Sequence, residues 1–114
     1  MTTKEYIQYL NNFLQELDEE RFYDAHETLE KIWFPRRFED SDEIKLIKGF
    51  INAAVSFELI KKGRIEPAKK VWKNYLKYKP LINQINSKYI KKYNSIIMLI
   101  DKIKNKSDNN HFVV

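Results

Sequence analysis

Only one histidine of this chain has neighbours that could make it chemical. His26 is followed by Glu27 and, one helical turn later, by Glu30, in the run Phe22-Tyr23-Asp24-Ala25-His26-Glu27-Thr28-Leu29-Glu30-Lys31-Ile32-Trp33. An imidazole and a carboxylate four residues apart on a helix lie side by side. His26 and Glu30 can therefore ligate a divalent metal, with Glu27 as a base in the manner of H-E-x-x-H zinc enzymes. Position 30 is Glu rather than His, so that zinc motif is absent, and a third ligand has to come from elsewhere, with Glu58 or Asn52 on offer. The other reading is structural. On a helical wheel Phe22, Ala25, His26, Leu29 and Trp33 share one apolar face, Glu30 lies at its edge, and Tyr23 and Glu27 point towards solvent. An imidazole in such a stripe needs a partner for each ring nitrogen. We favour this second reading: His26 ties its helix to a later one, Glu27 and Glu30 meet Lys31, Arg21, Lys48 or the lysines of the fourth helix, and Trp33 is core. Such a network can also line a small pocket between helices. His111 sits in a polar stretch and is expected to be exposed and idle.

The elements that position these residues are helical throughout. Tyr6, Leu10, Phe13 and Leu17 recur at helical spacing and predict a first helix over Thr3–Leu17, capped by Thr2 or Thr3. The second starts near Phe22 and stops near Phe34, before Pro35. Asp40 with Glu43 reads as a capping box for a third helix over Ser41–Lys62. That helix is apolar nearly all round from Ile44 to Ile60, which makes it central. Its small residues Ala53, Ala54 and Ser56 allow a neighbour to approach closely, and Glu58 is expected to be partly buried. Gly63 fits a left-handed C-terminal cap, and Pro67 fits the first turn of a fourth helix that ends at Pro80. A fifth helix is predicted over Ser87–Lys104. The expectation is one all-α domain over residues 1–104, a bundle of about five helices, followed by a polar, flexible tail over 105–114 whose Phe112, Val113 and Val114 can dock. One internal echo is present: Arg21-Phe22-x-x-Ala25 is similar to Arg64-Ile65-x-x-Ala68, each opening a helix that carries a Trp. Two copies do not make a repeat array.

Composition narrows the function. With 114 residues the chain can bury a core of its own. It has no cysteine, which removes disulfides, thiolate nucleophiles and thiolate metal sites and suits a reducing, cytoplasmic setting. The N-terminal stretch has no apolar signal core and no run is long enough to span a membrane. Charge is unevenly placed. Residues 1–60 hold 7 basic and 13 acidic side chains, net −6, and residues 61–114 hold 14 basic and 3 acidic, net +11. Such a split serves attraction between the halves, head-to-tail association or an anionic partner. Lys69, Lys70, Lys73 and Lys77 form a basic face on the fourth helix, a candidate anion-binding surface. It lacks arginines for reading bases, so a solvated face is preferred to nucleic-acid binding.

The run Phe22–Trp33 resembles the signature of the domain-of-unknown-function family 309, small α-helical proteins that pair an A-H-E-x-L-E-x-x-W helix with a later G-L-I-Q-x-A-x-A segment, a Gly-Asn turn and a following Ala. Here Gly49-Phe50-Ile51-Asn52-x-Ala54-x-Ser56 and Gly63-Arg64-x-x-x-Ala68 stand in those places, so the resemblance covers about Arg21–Leu76. It implies an all-α fold and marks His26, Glu27, Glu30 and Trp33 as the family's polar positions. Asn52, Ser56, Arg64 and Pro67 depart from the usual Gln, Ala, Asn and Gly.

These readings converge on a cytoplasmic, non-enzymatic binding or scaffolding domain that needs no cofactor, with a protein partner or a homo-oligomer as the expected association. A metal-dependent, hydrolase-like enzyme centred on His26, Glu27 and Glu30 is the alternative. Weak nucleic-acid binding through the fourth helix's lysines is a second.

Overall fold

The structure, a computed structural model, describes residues 1–111, with side chains through Asn109. Phe112, Val113 and Val114 lie outside the described residues, and so does the side chain of His111. Five α-helices make up the fold: α1 (Thr3–Asp18), α2 (Phe22–Trp33), α3 (Asp42–Lys61), α4 (Ile65–Tyr78) and α5 (Ile90–His111). No strand occurs among the described residues.

The helices come as two hairpins, α1–α2 and α3–α4, and the echo in the sequence is the turn that closes each. After α1, the amide of Glu20 donates to the Leu17 carbonyl and that of Arg21 to Glu16; after α3, Gly63 donates to Ile60 and Arg64 to Leu59. Both are Schellman turns, which need a left-handed residue just past the helix. Gly63 takes φ 77° and Glu20 takes φ 58°. Each following helix then starts with the amide of a buried alanine bonded to the arginine carbonyl, Ala25 to Arg21 and Ala68 to Arg64. Each hairpin also ends alike, in a proline-bearing 3-10 turn, Phe34–Arg36 or Lys79–Asn83.

α3 is the centre of the molecule. Ile44, Leu46, Ile47, Phe50, Ile51, Ala53, Ala54 and Phe57 are buried along most of its circumference. α4 lies close against it. A Cβ on Gly49 would stand 2.9 Å from that of Tyr78, and Ser56 Oγ donates to the Ala68 carbonyl at 2.8 Å. The N-terminus of α1 carries a full capping box, Thr2 with Glu5.

Three local expectations need correction. The cap of α3 is Ser41, whose Oγ accepts from the Ile44 amide. Asp40 stands in solvent, and Glu43 is drawn away to α5, as described below. α5 begins at Ile90, because Ser87 Oγ captures the Tyr89 amide and forms a turn there. It runs past Lys104 to His111, helped by the Lys104–Asp108 pair at 2.6 Å. No described helix is long and apolar enough to cross a membrane.

Candidate functional site

The i, i+4 spacing on α2 does bring His26 to Glu30: Nε2 and Oε1 are 2.6 Å apart. An ionised carboxylate only accepts, so the ring hydrogen sits on Nε2. Nδ1 is buried and has no hydrogen-bond partner. The pair stays within one helix, so His26 does not tie α2 to α3 by a hydrogen bond. Its side chain is 23% exposed and that of Glu30 43%. Tyr23 meets the imidazole edge-on at 6.0 Å and is itself exposed. The charge of Glu27 raises the Tyr23 phenol above its usual pKa, with Glu58 and Glu30 adding to the effect. The result is an acidic corner around one tyrosine and one histidine.

The remaining residues of the predicted cluster are engaged elsewhere. Glu58 is mostly covered and pairs with Lys62 at 3.0 Å. Asn52 donates to the Lys48 carbonyl and accepts from Asn74 of α4. Trp33 is half-buried against the core, with the Lys48 ammonium 4.1 Å from its ring centroid. Among the described residues, no group of three or more His, Asp or Glu side chains is placed to hold a metal ion. His26 and Glu30 would supply two ligands, and Nδ1 is reachable only if the corner opens.

The four helix-4 lysines, Lys69, Lys70, Lys73 and Lys77, are all exposed. Lys69 makes one loose pair with Glu66 at 3.4 Å, both side chains largely in solvent, a contact of little energetic weight. What the sequence did not show is the concavity beside them. α3, α4 and the end of α5 enclose a groove of about 420 Å³ floored by Ile60, Ile65, Ala68, Trp72 and Leu76. Lys69, Lys73 and Lys104 stand around it. Leu76 is 48% exposed there.

A second polar cluster was also missed. Tyr93 of α5 donates its hydroxyl to Glu43 Oε2. Its single proton is then spent, so the Tyr6 hydroxyl, 2.5 Å away, must donate to Tyr93. Ser87 gives a further hydrogen bond to the same Glu43 oxygen at 2.7 Å. One carboxylate thus fastens α1, α3 and the start of α5. Burial pushes the Tyr6 phenol up to about 12 and raises that of Tyr93 further. Tyr75, bonded to Asp101, is raised in the same way. The available signal was that Tyr6 and Tyr93 occupy core positions, where a phenol needs a partner. Which acid supplies it depends on tertiary packing.

Residues 10–71 match the family model described as a domain of unknown function (DUF309). The chain belongs to that family. The match starts earlier, within α1, and ends sooner than the motif resemblance suggested. No curated protein matches the chain, and no solved structure does.

Proposed function

We propose that this DUF309 domain is a non-enzymatic binding domain whose docking surface is the α4–α5 groove. Its partner is a protein segment that combines apolar side chains with acidic ones. The observation that carries this reading is the apolar floor of Ile60, Ile65, Trp72 and Leu76 set among Lys69, Lys73 and Lys104. Ser56 has spent its hydroxyl on Ala68, and Asp108 is neutralised by Lys104. With Lys104 spent on Asp108, the groove offers apolar surface beside the charge of Lys73 and of the loosely paired Lys69. Covering the exposed half of Leu76 contributes about 1 kcal/mol, and Trp72 adds to it. Carboxylates on the partner supply orientation and faster encounter. A nucleic-acid backbone has no use for such a floor. The lack of cysteine supports a cytoplasmic setting as part of the same reading.

Calorimetric titration with a designed Leu/Glu amphipathic helix tests the proposal. Saturable binding that weakens with salt and is lost in Leu76→Glu is expected. No binding, or binding indifferent to that substitution, contradicts it. A mass that grows with concentration in the wild type and not in Leu76→Glu would identify the occupant as another copy.

A metal-dependent enzyme at His26, Glu27 and Glu30 is the second reading, supported by the unpartnered Nδ1. NMR of the His26 imidazole with Zn²⁺ and Mn²⁺ decides it. The binding-domain reading predicts no change at His26, whereas a shift or broadening at low metal concentration would bring the enzyme forward.

A further inference from the structure

A cleft bounded by the start of α1, the end of α2 and the turn before α5, with no lining residue in common with the α4–α5 groove, encloses about 790 Å³, within the usual size range of ligand pockets. Three cations reach it from three separate elements: Lys31 from α2, Arg36 from the 3-10 turn and Lys88 from the turn before α5. Among the described residues neither Lys31 nor Lys88 has a carboxylate partner. Lys88 donates to Thr3 Oγ1, and Lys31 only overlies the Tyr9 ring at 5.7 Å. Arg36 commits Nε and Nη2 to Glu39, a residue outside the cleft lining, and keeps Nη1.

The two carboxylates of the cleft, Glu5 and Glu43, keep their charge but are turned to hydrogen-bond donors of the protein. Glu5 accepts from the Thr2 amide within the capping box, and its pKa is lowered by that bond. Glu43 accepts from Tyr93 and Ser87 on a single oxygen. Apolar surface in the lining comes from Pro35 and the Tyr89 ring, which is stacked on Tyr6 with centroids 4.3 Å apart, while Ile32 is buried beneath.

We infer that this cleft is a small-molecule site for an anion with a flat organic body, its charged group held by Lys31, Arg36 and Lys88 and its body laid against Tyr89 and Pro35. Carboxylate and phosphate share this chemistry. The site is independent of the α4–α5 groove.

The test uses phenyl phosphate and benzoate as probes, with inorganic phosphate as the bodiless control, followed by amide chemical-shift mapping of the whole chain. Saturable shifts centred on Ile32, Ser87, Lys88 and Tyr89 are expected, stronger for an aryl anion than for inorganic phosphate. The preferred aryl probe tells phosphate from carboxylate. In the double variant Lys31→Gln, Lys88→Gln affinity should fall by about tenfold or more, and Lys31→Arg, Lys88→Arg should restore it. Shifts that do not saturate, that survive the double glutamine variant, or that centre on Lys69, Lys73 and Lys104 instead would overturn the assignment.

Discussion

The two hairpins share a turn, a helix start and a terminal proline, yet their residues at matching positions differ in two ways. Counting from the arginines that open α2 and α4, His26, Glu27 and Glu30 correspond to Lys69, Lys70 and Lys73. Two of these helical positions are acidic in the first hairpin, and all three are lysine in the second. On the first helices, Tyr6, Leu10 and Phe13 correspond to Gly49, Ala53 and Ser56. Bulk fills the first hairpin; small residues let α4 settle almost onto α3 in the second. One local design thus serves two ends. The first hairpin buries large side chains and pairs His26 with Glu30 inside α2. The second packs tightly against one side of α3 and leaves Trp72 and Leu76 to line a groove with α5.

The largest effect should come from closing that gap. Gly49→Val puts a branched side chain where even a Cβ meets the Tyr78 Cβ, and should cost about 3 kcal/mol in urea unfolding. A value near zero would mean that α4 is not tightly seated. Tyr93→Phe comes next. It leaves Glu43 and Tyr6 short of a partner and should cost about 2 kcal/mol.

The same cluster predicts alkaline instability. Tyr6 has its pKa raised to about 12 by burial, so the folded state holds its proton where the unfolded state, near 10, releases it. That contribution is complete below the unfolded value and is lost as pH rises through the folded one. Tyr75 and Tyr93, also raised, act in the same direction. Phenolate absorbance and loss of helical dichroism should therefore rise together across that window. Phenolate appearing at all seven tyrosines with the helices intact would contradict the burial.

Smaller effects separate the two turns. Glu20 holds φ 58° without the freedom of Gly63, so Glu20→Gly should stabilise by about 1 kcal/mol and Gly63→Ala should destabilise by a similar amount. Responses of the same sign at the two sites would show that the turns are not equivalent. The smallest is His26→Ala, under about 1 kcal/mol, because its one bond is local and the Glu30 it would strand is 43% exposed. A loss of several kcal/mol would show that His26 holds the hairpins together after all.

These contrasts explain what could be read from the sequence. Helix spacing, the apolar circumference of α3, the Gly63 cap and the small residues on α3 follow from local chemistry, and the structure shows each. The His26–Glu30 contact was legible for the same reason, since an i, i+4 pair is adjacent in any helix. Its lack of a hydrogen bond to α3 was not, because that depends on how α2 is rotated in the bundle. Glu43 was read as a capping residue, yet it bonds residues 44 and 50 positions away, and no spacing rule reaches that far. The groove escaped for a related reason. Trp72 and Leu76 have the pattern of a core stripe, and only the placement of α5 leaves them uncovered.

The measurement that bears most directly on the central claim is an amide chemical-shift map of the whole chain titrated with the Leu/Glu amphipathic helix. The account predicts saturable shifts confined to Ile60, to Ile65–Leu76 and to residues 104–108, and silence along Phe22–Trp33. Shifts centred on Phe22–Trp33, or none anywhere, would contradict it.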